Sequence, residues 1–81
     1  MKYIIIKASW NEGEEAIIFP ETLIHRDIAR SIPCMDYYEL VSAGFCNGKL
    51  EAYGESETLH KKSRPEDTGI LQMNFHEVNT L

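Results

Sequence analysis

The stretch Leu40-Val41-Ser42-Ala43-Gly44-Phe45-Cys46-Asn47-Gly48-Lys49-Leu50-Glu51-Ala52-Tyr53-Gly54-Glu55 decides the fold class. Asn-Gly tolerates the positive φ angles of a two-residue type I′ turn, so Asn47 and Gly48 predict a β-hairpin with Cys46 opposite Lys49. In that register Phe45 faces Leu50, Ala43 faces Ala52 and Val41 faces Gly54 on an apolar, core side. Gly44 with Glu51, Ser42 with Tyr53 and Leu40 with Glu55 share the other, mixed side. A one-residue slip would send Glu51 and Glu55 into the core, so turn chemistry and alternation agree.

Upstream, Tyr3 to Ser9 and Glu15 to Phe19 are isoleucine-rich runs separated by Trp10-Asn11-Glu12-Gly13, which suits a four-residue turn. Pairing Ser9 with Glu14 sets Ile4 against Phe19 and Ile6 against Ile17 on one side, and Ile5 against Ile18 and Lys7 against Ala16 on the other. Both sides are substantially apolar, and the second invites a helix, the C-terminal segment or another subunit. Pro20-Glu21-Thr22 resembles a helix start, followed by Leu23, Ile24, Ile28 and Ile32 at helical spacing. The helix is expected to end near Ser31, with His25, Arg26, Asp27 and Arg30 on its solvated flank; Arg26 and Arg30 stand one turn apart. Pro33 to Asp36 reads as a connection.

Downstream, Glu57 to Lys62 reads as a connection anchored by Leu59. Ser63-Arg64-Pro65-Glu66 fits a capping box with Ser63 as cap and Glu66 reaching back, while Asp67 adds favourable charge at the helix start. Thr68-Gly69 predicts a short helix through Ile70, Leu71 and Met73, with Asn74 to Leu81 fraying. The expected fold is α+β. Residues 1–81 form a single domain in which two β-hairpins make a four-stranded, mainly antiparallel sheet, with one helix and a short C-terminal helix, the strand order left open.

An 81-residue chain has room for one core, and 43 % hydrophobic residues with three Phe, four Tyr and one Trp belong to a folded globule. Two cysteines are too few for a disulfide-stapled secreted domain, which points to a reducing cytosol. The apolar run Tyr3-Ile4-Ile5-Ile6 is far shorter than a signal-peptide core or a membrane span, so no membrane partner is expected. A net charge of -5 repels a phosphate backbone, and direct nucleic-acid binding is not expected either.

Among polar groups, Ser63-Arg64-Pro65-Glu66-Asp67 concentrates a hydroxyl, a guanidinium and two carboxylates. Capping explains Ser63, Pro65 and Glu66; Arg64 is left as an anion ligand or as one half of an ion pair that pins the C-terminal segment. Glu51, Glu55 and Glu57 form an acidic stripe interrupted by Tyr53, either solvated strand surface or a surface for a basic partner. Trp10, at the first hairpin's tip, is either an interaction hot spot or packs back on its own sheet. His25, His60, His76, Cys34 and Cys46 show no preformed zinc spacing, so neither metal nor cofactor is expected, and no oriented Cys/His pair suggests a catalytic nucleophile.

Ala43-Gly44-Phe45, then Gly54-Glu55-Ser56-Glu57-Thr58-Leu59, then Ser63-Arg64-Pro65-Glu66-Asp67 resemble the A-G-F, G-x-S-x-[ST]-L and S-R-P-x-D segments of a group of short uncharacterised proteins of tailed bacteriophages and prophages. The resemblance covers about a third of the chain and brings no established activity with it. It implies a mobile-element origin, work in the bacterial cytoplasm and an accessory role. The leading expectation is a non-enzymatic module that binds a host or phage protein through Trp10, Glu51, Tyr53, Glu55 and Glu57. The alternatives are a homodimeric assembly module joined through the Ile5/Ile18 sheet face, or a small-ligand-binding protein or enzyme using Arg64.

Overall fold

A computed structural model describes residues 1–10, 13–32 and 37–75. The elements run β1 (Lys2–Ala8), β2 (Glu14–Phe19), α1 (His25–Ser31), β3 (Tyr38–Cys46), β4 (Ala52–Tyr53), β5 (Glu55–Ser56), β6 (Lys61–Lys62) and α2 (Asp67–Phe75). Strands β2-β1-β3-β4 form an antiparallel four-stranded sheet, and β5 and β6 form a separate two-stranded one. This is an α+β fold. Among the described residues no helix is long and apolar enough to cross a membrane.

The isoleucine run explains the centre of the sheet. A strand covered on both faces is apolar at consecutive positions rather than alternate ones. Tyr3, Ile4, Ile5 and Ile6 of β1 are all buried, between β2 and β3. Ile4 and Ile6 meet Phe19, Ala43 and Ala29 of α1 on one face; Tyr3 and Ile5 meet Cys46 and Leu71 of α2 on the other. Of the helix, C-terminal segment or second subunit expected on the Ile5/Ile18 face, the chain's own C-terminal helix is what covers it, and Ile5 is fully enclosed.

The first hairpin keeps the expected faces but in a different register. Lys7, not Ser9, pairs with Glu14, and Ile4 lies opposite Ile17 rather than Phe19. A shift of two residues preserves the side-chain period, so the same residues stay on the same faces. The connecting loop is longer, and its Asn11 and Glu12 lie outside the described residues, as do the expected connection Pro33 to Asp36, Cys34, and His76 to Leu81.

Helix α1 begins at His25, two residues later than Leu23. Residues 20–23 form a turn closed by Leu23 N–H donating to the Pro20 carbonyl at 3.1 Å, Thr22 does not cap, and Ile24 occupies the cap with no side-chain bond. The inward stripe is therefore His25, Ile28, Ala29 and Ile32, a helical spacing that leaves Leu23 and Ile24 exposed. His25, expected on the solvated flank, is only 4 % exposed.

The decisive hairpin exists, but its turn is not type I′. Neither Asn47 nor Gly48 has positive φ; Leu50 does, at 62°. Leu50 N–H donates to the Asn47 carbonyl at 3.0 Å and Asn47 N–H to the Glu51 carbonyl at 3.2 Å, making a three-residue loop whose last residue is left-handed. The Asn47 side-chain oxygen accepts from Lys49 N–H and Glu51 N–H, which is the local amide chemistry that favours asparagine here. Pairing shifts by three, to Phe45 with Tyr53 and Cys46 with Ala52, and an odd shift moves the returning strand's residues to opposite faces. Val41 no longer pairs with Gly54 nor Leu40 with Glu55. β4 stops at Tyr53, Gly54 turns with φ 73°, and Glu55 and Ser56 pair instead with Lys62 and Lys61. Val41, Leu50 and Ala52 pack on the α2 side, apart from Ala43 on the α1 side.

Gly44 is required by close approach. A Cβ there would lie 2.7 Å from the Tyr53 carbonyl oxygen and 3.3 Å from the Tyr3 ring. Leu59, in the turn between β5 and β6, packs on the α1-side core.

Candidate functional site

Arg64 is held at the start of α2 by a capping arrangement displaced by one residue from the expected box. Asp67, not Glu66, reaches back, accepting from Arg64 N–H at 3.1 Å, and its own N–H donates to the Arg64 carbonyl at 3.0 Å, closing the turn that leads into α2. The same carboxylate accepts from the Tyr3 hydroxyl at 2.6 Å and from Arg64 Nε at 2.9 Å. The far edge of the guanidinium meets Glu14 on β2, with Nη2 at 2.7 Å and Nη1 at 3.4 Å. Arg64 thus joins two carboxylates from different elements. Its donors are used inside the chain, in an ion pair that fixes α2 to the sheet.

The electrostatics follow from burial. Asp67 has no exposed surface; burial works against its charge, but the bonds from Tyr3 and Arg64 outweigh that and hold its carboxyl below the usual carboxylate value. Ser42 Oγ is buried with no hydrogen-bond partner among the described residues. The Tyr3 phenol is pushed up by burial and then by its bond to Asp67. Arg64 is held firmly protonated, first by Glu14. None of these groups is poised to exchange a proton near neutral pH.

Trp10 stands beyond the end of β1 and is 66 % exposed. It meets the ring of Tyr38 nearly edge-on, with centroids 5.4 Å apart, and that of Tyr37 at 6.2 Å. Ser9 N–H donates to the Tyr37 carbonyl at 2.8 Å, tying the hairpin tip to the start of β3. Tyr37 is itself 58 % exposed, so the tip carries an aromatic surface rather than a lone tryptophan.

The four other residues assigned to partner binding do not form one stripe. Glu51 lies in the turn, where its carboxylate accepts from the Asn47 side-chain amide at 2.8 Å. Tyr53 stacks on Phe45, centroids 5.8 Å apart, instead of facing Ser42. Both sit by the Lys2 end of β1, opposite to Trp10, about 23 Å away along a seven-residue strand. Glu55 and Glu57 lie beyond the bend at Gly54, lining a crevice of about 280 Å³ with Lys2, Ile24, His25, Phe45, Ser56 and Thr58.

His25 forms the wall of that crevice. Its Nε2 donates to the Gly44 carbonyl at 2.8 Å, and its ring stands edge-on to Phe19 and Phe45. Burial, aided by the charge of Lys2, lowers its pKa below the ordinary histidine value, against the opposing pull of the Gly44 bond. Among the described residues no group of three or more His, Cys, Asp or Glu is arranged to hold a metal.

Sequence reasoning missed Glu14 and Asp67 as partners of Arg64, Tyr3 as a donor to Asp67, and Tyr37 and Tyr38 as partners of Trp10. Residues 3 and 67 are 64 positions apart, and nothing local to either indicates the other. Tyr37-Tyr38 was legible as an aromatic pair opening a strand, and is the one available signal. Comparison with protein-family models, with curated proteins and with solved structures finds no match for the chain.

Proposed function

We propose that the chain is a non-enzymatic protein-binding module, a phage or prophage accessory protein that acts in the bacterial cytoplasm on a host or phage protein. The observation that carries this reading is the exposed aromatic surface of Trp10 and Tyr37, backed by Tyr38. Trp and Tyr dominate binding hot spots because they present a large, rigid area with little entropy to lose. The engagement of Arg64 by Glu14 and Asp67 favours binding over anion chemistry at that residue. Capture from bacterial lysate on immobilised protein, with recovered proteins quantified, tests the reading. A partner enriched on wild type should fall at least about tenfold on Trp10→Ala, a loss of about 1.4 kcal/mol. Equal recovery on both would remove the aromatic surface as the binding site.

A second reading, a homodimeric assembly module, is favoured by β2. Its six residues form an outer edge of the four-stranded sheet, where Asn74 of α2 accepts from the Ala16 N–H at 3.4 Å, and a sheet edge is a template for another strand. Light scattering after size exclusion would give twice the chain mass, and a monomer at micromolar concentration would remove it.

A further inference from the structure

Arg26 and Arg30 lie one turn apart on α1, and both are exposed. Neither guanidinium has an ion-pair or hydrogen-bond partner among the described residues, in contrast to Arg64. Opposite them lies the turn between β5 and β6. Arg26, Ala29, Arg30, Thr58 and Leu59 line a cleft of about 530 Å³. Its apolar members belong to the core: Ala29 is buried and Leu59 packs against Ile4, Ile6 and their neighbours. Two planar, permanently charged donors therefore stand over an apolar floor, with the Thr58 hydroxyl beside them.

Charge complementarity selects the ligand. A guanidinium matches a carboxylate through parallel hydrogen bonds, and paired guanidiniums suit an anion that presents two oxygens. Thr58 also borders the neighbouring crevice, where Glu55 and Glu57 stand, and Asp27 adjoins Arg26 on the helix. An extended polyanion such as a nucleic-acid strand would run from the arginines onto these carboxylates and be repelled. A single acid group on a partly apolar, otherwise uncharged body meets no such obstacle. We infer that this cleft receives an acidic side chain and an adjacent aliphatic one from a partner protein, Arg26 and Arg30 holding the carboxylate while Ala29 and Leu59 take the aliphatic group. The partner's being a protein rests on the binding reading above; the cleft uses none of Trp10, Tyr37 or Tyr38.

The test is an NMR titration of isotopically labelled protein with an N-acetylated, C-amidated Leu-Glu dipeptide, which carries one carboxylate. Saturable shifts are expected at Arg26, Ala29, Arg30, Thr58 and Leu59 in the millimolar range. Binding should weaken at least about tenfold with the Leu-Gln dipeptide and in the double variant Arg26→Gln/Arg30→Gln, reflecting loss of charge-assisted hydrogen bonds. Both arginines are exposed, so unchanged spectra elsewhere in the double variant will show that it is folded. Trp10→Ala should bind the dipeptide as wild type does, which separates failure of the cleft from failure of the aromatic surface. The inference is overturned by absence of saturable shifts, by equal affinity for Leu-Gln, or by tighter binding of inorganic phosphate or a single-stranded oligonucleotide.

Discussion

The two faces of the central sheet carry their helices by different chemistry. On one, α1 rests on Ile4, Ile6, Phe19 and Ala43 and buries a single imidazole, satisfied by one carbonyl. On the other, α2 rests on Tyr3, Ile5 and Cys46 and buries a carboxylate held by Tyr3 and Arg64, with Glu14 behind the guanidinium. A neutral ring costs little to bury once it has a hydrogen bond, whereas a charge must be matched by several donors. The α1 face should therefore lose stability by degrees, and the α2 face abruptly when one member of its network is removed.

The largest expected effect is Asp67→Ala. It leaves Arg64 without its buried partner and the start of α2 without its reaching carboxylate, so urea unfolding should show a loss of about 3–5 kcal/mol. A loss under about 1 kcal/mol would mean that Leu71 and its apolar neighbours alone hold α2, erasing the contrast. Tyr3→Phe is a finer cut, because it keeps the ring and removes only the donor to Asp67. It should cost about 1.5–3 kcal/mol, the range for a hydrogen bond to a charged group, and loosen amide exchange in α2 before α1.

The smallest effect separates the faces along the pH axis. His25 has a folded pKa below the ordinary 6.5, so as pH falls the unfolded chain takes up its proton first. The stability tied to neutral His25 is complete above about pH 6.5 and declines as pH falls through the folded value, at no more than about 1.4 kcal/mol per unit. Asp67 is also depressed, from 3.8, so its contribution persists at higher pH and drains only below about pH 4. Urea midpoints should therefore drop modestly between pH 7 and pH 5 in wild type and in Asp67→Asn, but stay flat in His25→Gln. A decline that survives His25→Gln would show that another group titrates in that window.

What the sequence revealed and what it hid have physical causes. Ile4, Ile6, Ile17 and Phe19 were assigned to the right face because a two-residue register error leaves alternation intact. Asn47-Gly48 misled because asparagine can organise a turn through its side chain as well as through positive φ, and the strain fell on Leu50, a residue with no preference for it. The three-residue shift that followed dispersed Glu51, Tyr53 and Glu55 from their expected common face. Helical periodicity counted from Leu23 puts His25 in solvent; counted from His25, where α1 begins, the same rule points it inward. Arg64 was recognisable as unusual from its neighbours alone, whereas only the tertiary fold brings Glu14 to it and Tyr3 to Asp67. Trp10 was visible, but its surface depends on Tyr37 returning beside it at the start of β3.

Cys46 gives the covering of the α2 face a measurable rate. Its thiol is 1 % exposed, packed with Tyr3, Ile5 and Leu71, and burial pushes its pKa up, so the native thiol has neither access nor thiolate character. A thiol reagent can reach it only in the moments when this packing opens. The modification rate of that sulfur, resolved from that of Cys34, is a built-in clock for the opening, needing no introduced label.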